Sequence, residues 1–193
     1  MKKTGSLKAA LEKLGNSKKV LRVGFLETAK YDNAEGEALP VAQVAYWNEY
    51  GAIINVPARK QTIYRSLNEK TGNFNRNGKF VKRDKSNFAS EHDVPAHTIK
   101  IPPRPFFRKT IAENSSEWGK QVAQLLKANN YDADAALNEL GDHIKGQLTE
   151  SILSYEDPPN APSTIRKKGF NAPLRDTGTM ARSIDYEVTD DES

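Results

Sequence analysis

The spacing of apolar residues predicts two long amphipathic helices in the second half of the chain. The first begins near Pro105, and the second follows Asp132, whose side chain can cap a helix N-terminus. Their stripes, at steps of three and four residues, are formed by Phe107, Ile111, Asn114, Trp118, Val122 and Leu125, and by Ala133, Leu137, Leu140, Ile144, Leu148 and Ile152. The short connection ANNY between them favours an antiparallel pair that packs against a sheet.

Shorter elements are predicted in the first half of the chain. Leucines at helical spacing indicate a helix over residues 6–14, which Gly15 can terminate. KVLRVGFL, at residues 19–26, is typical of a strand. The next helix, VAQVAYWNEYGA, can open at Pro40, because the first turn of a helix does not need that amide proton, and it ends at Gly51.

Residues 60–101 have the alternation and turn composition of an extended sheet region. KQTIYRSL (60–67) and GKFVKR (78–83) predict a hairpin around a glycine- and asparagine-rich connection. HTIKI (97–101) alternates as a strand that Pro102 and Pro103 terminate, since neither proline can donate a ladder hydrogen bond. A final strand is predicted after Arg182, where apolar residues again occupy every second position.

Together these elements predict the α+β fold class, with an antiparallel or mixed β-sheet packed against two long α-helices and an extended basic β-hairpin insertion. The length of 193 residues and the apolar content of 37% suit one domain. We therefore expect a single domain over residues 1–193, with the insertion at 59–96 and an acidic C-terminal tail at 185–193.

Charge is distributed unevenly along the chain, although the net charge is only +4. Residues 59–85 contain nine basic and two acidic side chains, whereas five acidic and no basic side chains follow Arg182. Such asymmetry indicates surfaces that bind nucleic acid or an oppositely charged patch on a neighbouring subunit; a solvated hairpin and a frayed acidic end are the alternative. The candidate interface residues are Arg65, Lys79, Lys82, Arg83, Arg104, Arg108, Asp190 and Asp191.

The composition excludes several kinds of chemistry. With no cysteine, the chain can form no disulfide, thiol nucleophile or thiolate metal site. The three histidines lack metal-ligand spacing, and neither a glycine-rich phosphate loop nor a Gly-x-Ser-x-Gly turn is present. No apolar run is long enough to span a bilayer, and the N-terminus lacks the features of a signal peptide. We predict a protein that is not an enzyme and that uses no cofactor, metal or membrane.

The triad Asp176-Thr177-Gly178 has the form that aspartic proteases use in pairs. Those enzymes place an apolar residue before the aspartate, whereas Arg175 stands here, and only 15 residues follow Gly178. The alternative is structural, with Asp176 as a helix N-cap and Gly178 in a tight turn. A protease is therefore a remote alternative.

Nucleic-acid binding is a second alternative, because aromatic residues alternate with the basic ones in the hairpin. Tyr64, Phe74, Phe80 and Phe88 could stack on bases while the basic side chains neutralise phosphates. No recognition helix or RNA-binding signature accompanies them. Contact with passing DNA, without sequence specificity, is accordingly expected only as an accessory property.

Four motifs occur in an order that resembles one family: VAYWNEYG (44–51), IPPRPFFR (101–108), NAPSTI (160–165) and PLRDTGTMARSI (173–184). The chain is similar to the neck and tail-completion proteins of tailed bacteriophages and prophages, which are small virion-morphogenesis proteins. The resemblance implies a structural role for the motif residues Trp47, Glu49, Tyr50, Gly51, Pro103, Pro105, Phe106, Phe107, Asp176, Thr177 and Gly178.

The resemblance also implies a location and partners. Members of this family sit at the head-tail junction, between the portal-associated connector proteins and the tail tube, and are expected to form rings of six or twelve subunits. The expected partners are other copies of the chain, adaptor or stopper proteins on the head side, and tail-tube or tail-terminator proteins on the other. The expected location is the neck of the virion, reached by assembly in the host cytoplasm.

Overall fold

The computed structural model describes Glu12, Leu14, Gly15 and residues 18–25, 28–31 and 38–190. The predicted helix over residues 6–14 lies outside this part of the chain, apart from two positions. Two compact units are present: the core unit, Met1–Ala52 with Ile101–Ser193, and the arm, Ile53–Lys100. The α+β fold class is confirmed, although the described strands form three separate two-stranded sheets rather than one.

The core unit is built on the two predicted long helices. Helix α2 spans Phe106–Ala128 and helix α3 spans Ala133–Leu153. Asp132 caps α3 as predicted, since its Oδ1 accepts a hydrogen bond from the amide of Ala135 at 3.2 Å. The turn between them needs positive φ angles at Asn130 and Tyr131, which lets the helices run back along each other.

Strand β1 (Lys19–Phe25) pairs antiparallel with the last strand, β6 (Ile184–Asp190), and α3 packs on this ribbon. In the register, Lys19 lies opposite Asp190 and Phe25 lies opposite Ile184. A glycine in α3 allows the close approach, because a Cβ at Gly141 would overlap the ring of Tyr186. The predicted final strand is therefore a central part of the core unit.

The structure also gives full bounds for three shorter helices of the core unit: α1 (Val41–Tyr50), α4 (Pro162–Lys168) and α5 (Thr179–Arg182). The apolar stripe of α2 begins one residue earlier than predicted, because Phe106 is 1% exposed while Phe107 is half-buried and Ile111 is 39% exposed. The core consists of Val41, Ala45, Phe106, Leu140, Ile144, Leu148, Ile152, Leu174, Met180, Ala181 and Ile184.

The arm contains four strands. Strand β2 (Ala52–Val56) pairs with β5 (His97–Ile101), and β3 (Arg59–Arg65) pairs antiparallel with β4 (Phe88–Val94). The predicted strand at 78–83 is wrong: the partner of β3 is β4, and the intervening chain forms 3₁₀ turns at Asn75–Gly78 and Arg83–Lys85. FASEHDV has no apolar alternation because neither face of β4 is buried, so backbone pairing alone defines the strand.

The arm has no hydrophobic core. None of residues 53–100 is buried, whereas thirteen hydrophobic side chains are buried in the described part of the core unit. The exposed large hydrophobic residues of the arm are Ile53, Phe74, Phe80, Phe88 and Ile99. Two-stranded ribbons are marginally stable in water without a layer that covers one face.

Candidate assembly interface

Two of the sequence motifs meet in a polar corner of the core unit. The carboxylate of Glu49, at the end of α1, accepts hydrogen bonds from the amides of Phe107 and Arg108 at 2.9 and 3.1 Å. These amides belong to the first turn of α2, whose N-cap is Pro105 and has no capping side chain. Glu49 thus caps α2 from another helix, which satisfies two amides that have no partner within the helix.

Arg104 is the buried half of this corner and is only 6% exposed. Its Nη1 donates to Oδ1 of Asn48 at 2.9 Å, and its Nε and Nη2 donate to the carbonyls of Pro158 and Pro159 at 3.2 and 3.4 Å. Burial lowers the pKa of the Arg104 guanidinium, but an arginine stays charged in proteins. The prediction that Arg104 faces a partner is therefore wrong: its guanidinium ties three segments of one subunit together.

Arg108 remains accessible beside it, because 54% of its side chain is exposed. Its Nε donates to Oε1 of Glu49 at 2.8 Å, and its guanidinium lies 4.7 Å from the ring centroid of Tyr50. That contact with Glu49 raises the pKa of Arg108. Trp47 is half-buried, whereas Tyr50 and Arg108 are both exposed and can be reached by a partner.

Gly51 allows the chain to pass this corner. Its φ of 78° lies in the region that favours glycine, and a Cβ there would stand 3.1 Å from the carbonyl oxygen of Ile101 and 3.2 Å from Cδ of Pro103. The close approach of the backbone to residues 101–103 thus favours glycine at position 51.

The Asp-Thr-Gly triad forms a turn beside a cavity of about 200 Å³ in the core unit. Gly178, with a φ of 79°, is the N-cap of α5, so the prediction of Asp176 as the cap is wrong while the turn at Gly178 is confirmed. Thr177 and Thr179 share a hydroxyl hydrogen bond of 2.6 Å. Asp176 is exposed and is the single carboxylate among the residues that line this cavity.

In the arm, three aromatic side chains gather around Arg65. Its guanidinium lies 5.3 and 5.4 Å from the ring centroids of Phe74 and Phe80, and Phe74 meets Phe88 edge-on at 5.2 Å. These rings therefore pack on an arginine of their own chain. Phe80 is nevertheless 68% exposed, and it is the most accessible ring of the group.

The basic side chains in the loop of the arm have no salt bridge in the described part of the chain. In the loop between β3 and β4, which we call the basic loop (residues 66–87), all six basic side chains are exposed, and the structure gives none of them a salt bridge to any described residue. They are Lys70, Arg76, Lys79, Lys82, Arg83 and Lys85.

The acidic C-terminal strand is, by contrast, already neutralised within the core unit. Asp190 lies 2.9 Å from Lys19, Glu187 lies 3.4 Å from Arg22, and Asp185 lies 3.0 Å from Lys145. The hydrogen bond from Lys145 lowers the pKa of Asp185. The expected opposite charge on the tail is thus largely used inside the subunit, and the candidate Asp191 lies outside the described residues.

A different acidic surface, which we did not predict, lies between α2 and α3. We call it the acidic groove; it has a volume of about 800 Å³ and carries Glu113, Glu150, Glu156 and Asp157. Lys109 is the one lysine that lines it, 3.9 Å from Glu113, and His143 lines it as well. The other three carboxylates have no salt bridge among the described residues. Glu113 of α2 and Glu150 of α3 are 37 residues apart in sequence, and the pairing of the two helices brings them to one groove.

Within the described ranges, no group of three or more histidine or acidic residues is placed to hold a metal ion, and no helix is both long and apolar enough to cross a membrane. Comparison with protein-family models, with curated proteins and with solved structures found no match to this chain.

Proposed function

We propose that this chain is a virion structural protein of the phage neck, which completes the tail or joins it to the head through a ring of identical subunits. The observation that carries the proposal is the arm, where none of residues 53–100 is buried. A segment with strands but no core gains stability when another surface covers it, because burial of apolar area is the main favourable term in folding. The ordered motifs of the sequence supply the family expectation.

The charge partition supports contact between subunits. The arm carries ten basic and four acidic residues, a net charge of +6, so the rest of the chain has a net charge of −2. A head-to-tail contact between two different surfaces closes into a ring when the rotation permits. Opposite charges on the two surfaces would guide that contact and disfavour the like-charged arrangement.

The experiment replaces the basic loop, Ser66 to Asn87, by Asn-Gly. Arg65 and Phe88 lie opposite each other in the β3–β4 register, so a two-residue turn can join them without disturbing the hairpin stem. The unaltered chain should show a native mass of six or twelve subunits, whereas the replaced chain should be a monomer with an unchanged far-UV spectrum. A replaced chain that still forms the same ring, or enters complete particles at normal stoichiometry, contradicts the proposal.

The second candidate is a DNA-contacting module, which the unpaired cations of the basic loop favour. It predicts affinity for duplex DNA that falls steeply with salt, because bound cations release counterions from the phosphates. Fluorescence anisotropy with a duplex at several salt concentrations separates the two candidates. An aspartic protease is the remote alternative, and Asp176→Asn would abolish any proteolysis while leaving the native mass unchanged.

A further inference from the structure

We infer that the acidic groove between α2 and α3 is the docking site for the basic loop of a second copy of this chain. This inference rests on the proposed ring and names the two surfaces that would form its subunit contact. Charge carries the argument: the groove has four carboxylates against one lysine, and the loop has six basic side chains against Glu69 and Asp84.

Apart from Glu113 and Lys109, the charged side chains of the two surfaces have no salt bridge in the described part of the chain. Glu150, Glu156 and Asp157 have no salt bridge to a described residue, and the same holds for Lys79, Lys82 and Arg83. The acids of β6 differ, because Lys19, Arg22 and Lys145 already neutralise them. A basic partner would therefore find more uncompensated charge in the groove than at the C-terminal strand.

The floor of the groove is held in place by side-chain hydrogen bonds between the two helices. Gln147 of α3 accepts from Nε1 of Trp118 and donates to Oδ1 of Asn114, at 2.9 Å in each case. Ser151 reaches the carbonyl of Phe106 at 3.1 Å. Since these polar contacts replace apolar packing on this face, the helices leave a polar depression between them.

The rim of the groove is held by the buried corner. Glu156 and Asp157 directly precede Pro158 and Pro159, whose carbonyls accept hydrogen bonds from Arg104. Arg104 therefore acts as a positioning residue for two acids of the rim, although its own guanidinium faces inward.

Apolar contact would supply the part of the affinity that charge does not. Exposed ion pairs contribute little each and serve mainly to set orientation and association rate. Phe80 directly follows Lys79 and stands two residues before Lys82, and its exposed ring offers apolar area that docking would cover. The contact should consequently weaken with salt yet not be lost, since screening acts on the charges alone.

The first test reverses charge on each side. Glu150→Lys with Glu156→Lys, and separately Lys79→Glu with Lys82→Glu, should each raise the concentration at which the ring dissociates by about tenfold or more, as measured by analytical ultracentrifugation. A chain with all four substitutions should recover the assembly. The control is Glu117→Lys with Glu139→Lys, which makes the same change in charge at positions of α2 and α3 that do not line the groove and should leave assembly unchanged.

The second test locates the contact by crosslinking. Because the chain has no native cysteine, only the introduced cysteines can react. A Glu150→Cys chain mixed with a Lys82→Cys chain should give crosslinked pairs of unlike chains with a bismaleimide, whereas Glu139→Cys mixed with Lys82→Cys should not. Loss of assembly on replacing the basic loop, with no effect of groove reversal and no crosslink, overturns the groove inference and leaves the ring proposal standing. If the full chain stays monomeric at millimolar concentration, both the ring proposal and the groove inference are overturned. If the control variant loses assembly to the same extent as the groove variant, the effect is one of net charge, and the groove inference alone is overturned.

Discussion

Different interactions order the core unit and the arm in water. In its described part, the core unit buries thirteen hydrophobic side chains and pairs the acids of its last strand internally. The arm buries none and leaves its cations without salt bridges in the described structure. The difference teaches that a packed interior orders the core unit, whereas backbone pairing between exposed strands orders the arm.

Truncating one phenylalanine in each unit gives the strongest test of the difference between a unit with a buried core and one without. Phe106→Ala removes a ring that is 1% exposed and should lower the free energy of unfolding by about 3–5 kcal/mol. Phe80→Ala removes a ring that is 68% exposed and should change the stability of the monomer by less than about 0.5 kcal/mol while weakening assembly. Urea unfolding of both variants measures the difference. Equal destabilisation by the two substitutions would mean that the arm has a core of its own.

A smaller effect is expected at the polar corner. Glu49→Gln keeps the shape of the side chain but removes its charge and leaves one of its donors, among the amides of Phe107 and Arg108 and the Arg108 guanidinium, without a good acceptor. The cost should be about 1–3 kcal/mol, as for a buried donor left unsatisfied. Thermal unfolding against the control Glu117→Gln, an exposed glutamate on α2, checks it. A variant as stable as the control would show that Pro105 and the helix need no cap from α1.

The smallest effect concerns the pairing of Asp185 with Lys145. Because the pKa of Asp185 is lowered below its usual value of 3.8, the pair stabilises the fold above that pH and the contribution is lost as the pH falls through the lower, folded value. Asp185→Asn should therefore cost less than about 1 kcal/mol at pH 7, as for an exposed ion pair, and progressively less as the pH falls through the folded value. Unfolding curves of the unaltered chain and the variant, measured from pH 7 into acid, check this. A cost that persists in acid would assign the effect to packing.

Local sequence predicted the parts of the fold that depend on local interactions. Helices α2 and α3 and the Asp132 cap were predicted correctly because periodicity and capping lie within one segment. Strand β4 was missed because both of its faces are exposed, so it has no apolar alternation. The strand predicted at 78–83 had basic and apolar residues in a suggestive order, but only Phe80 forms a bridge to β3.

The site was harder to predict, because its residues are paired by the fold. Arginine is mostly exposed in proteins, and nothing near Arg104 in sequence indicates that its partners lie at Asn48 and Pro158. In the sequence, the acids of β6 have the pattern of a free acidic tail. In the structure, the strand register places Lys19 beside Asp190. Both errors concern charge, whose meaning depends on a neighbour that is distant along the chain.

The close approach at Gly51 gives the molecule a modular design. The chain leaves the core unit next to the point where it returns, since Gly51 is packed against the backbone of Ile101 and Pro103. Everything between these points is, for the core unit, a single loop whose closure cost rises by only about 0.6 kcal/mol for each doubling of its length. Lengthening, shortening or replacing that segment should therefore cost little free energy and leave the packed scaffold of the core unit intact.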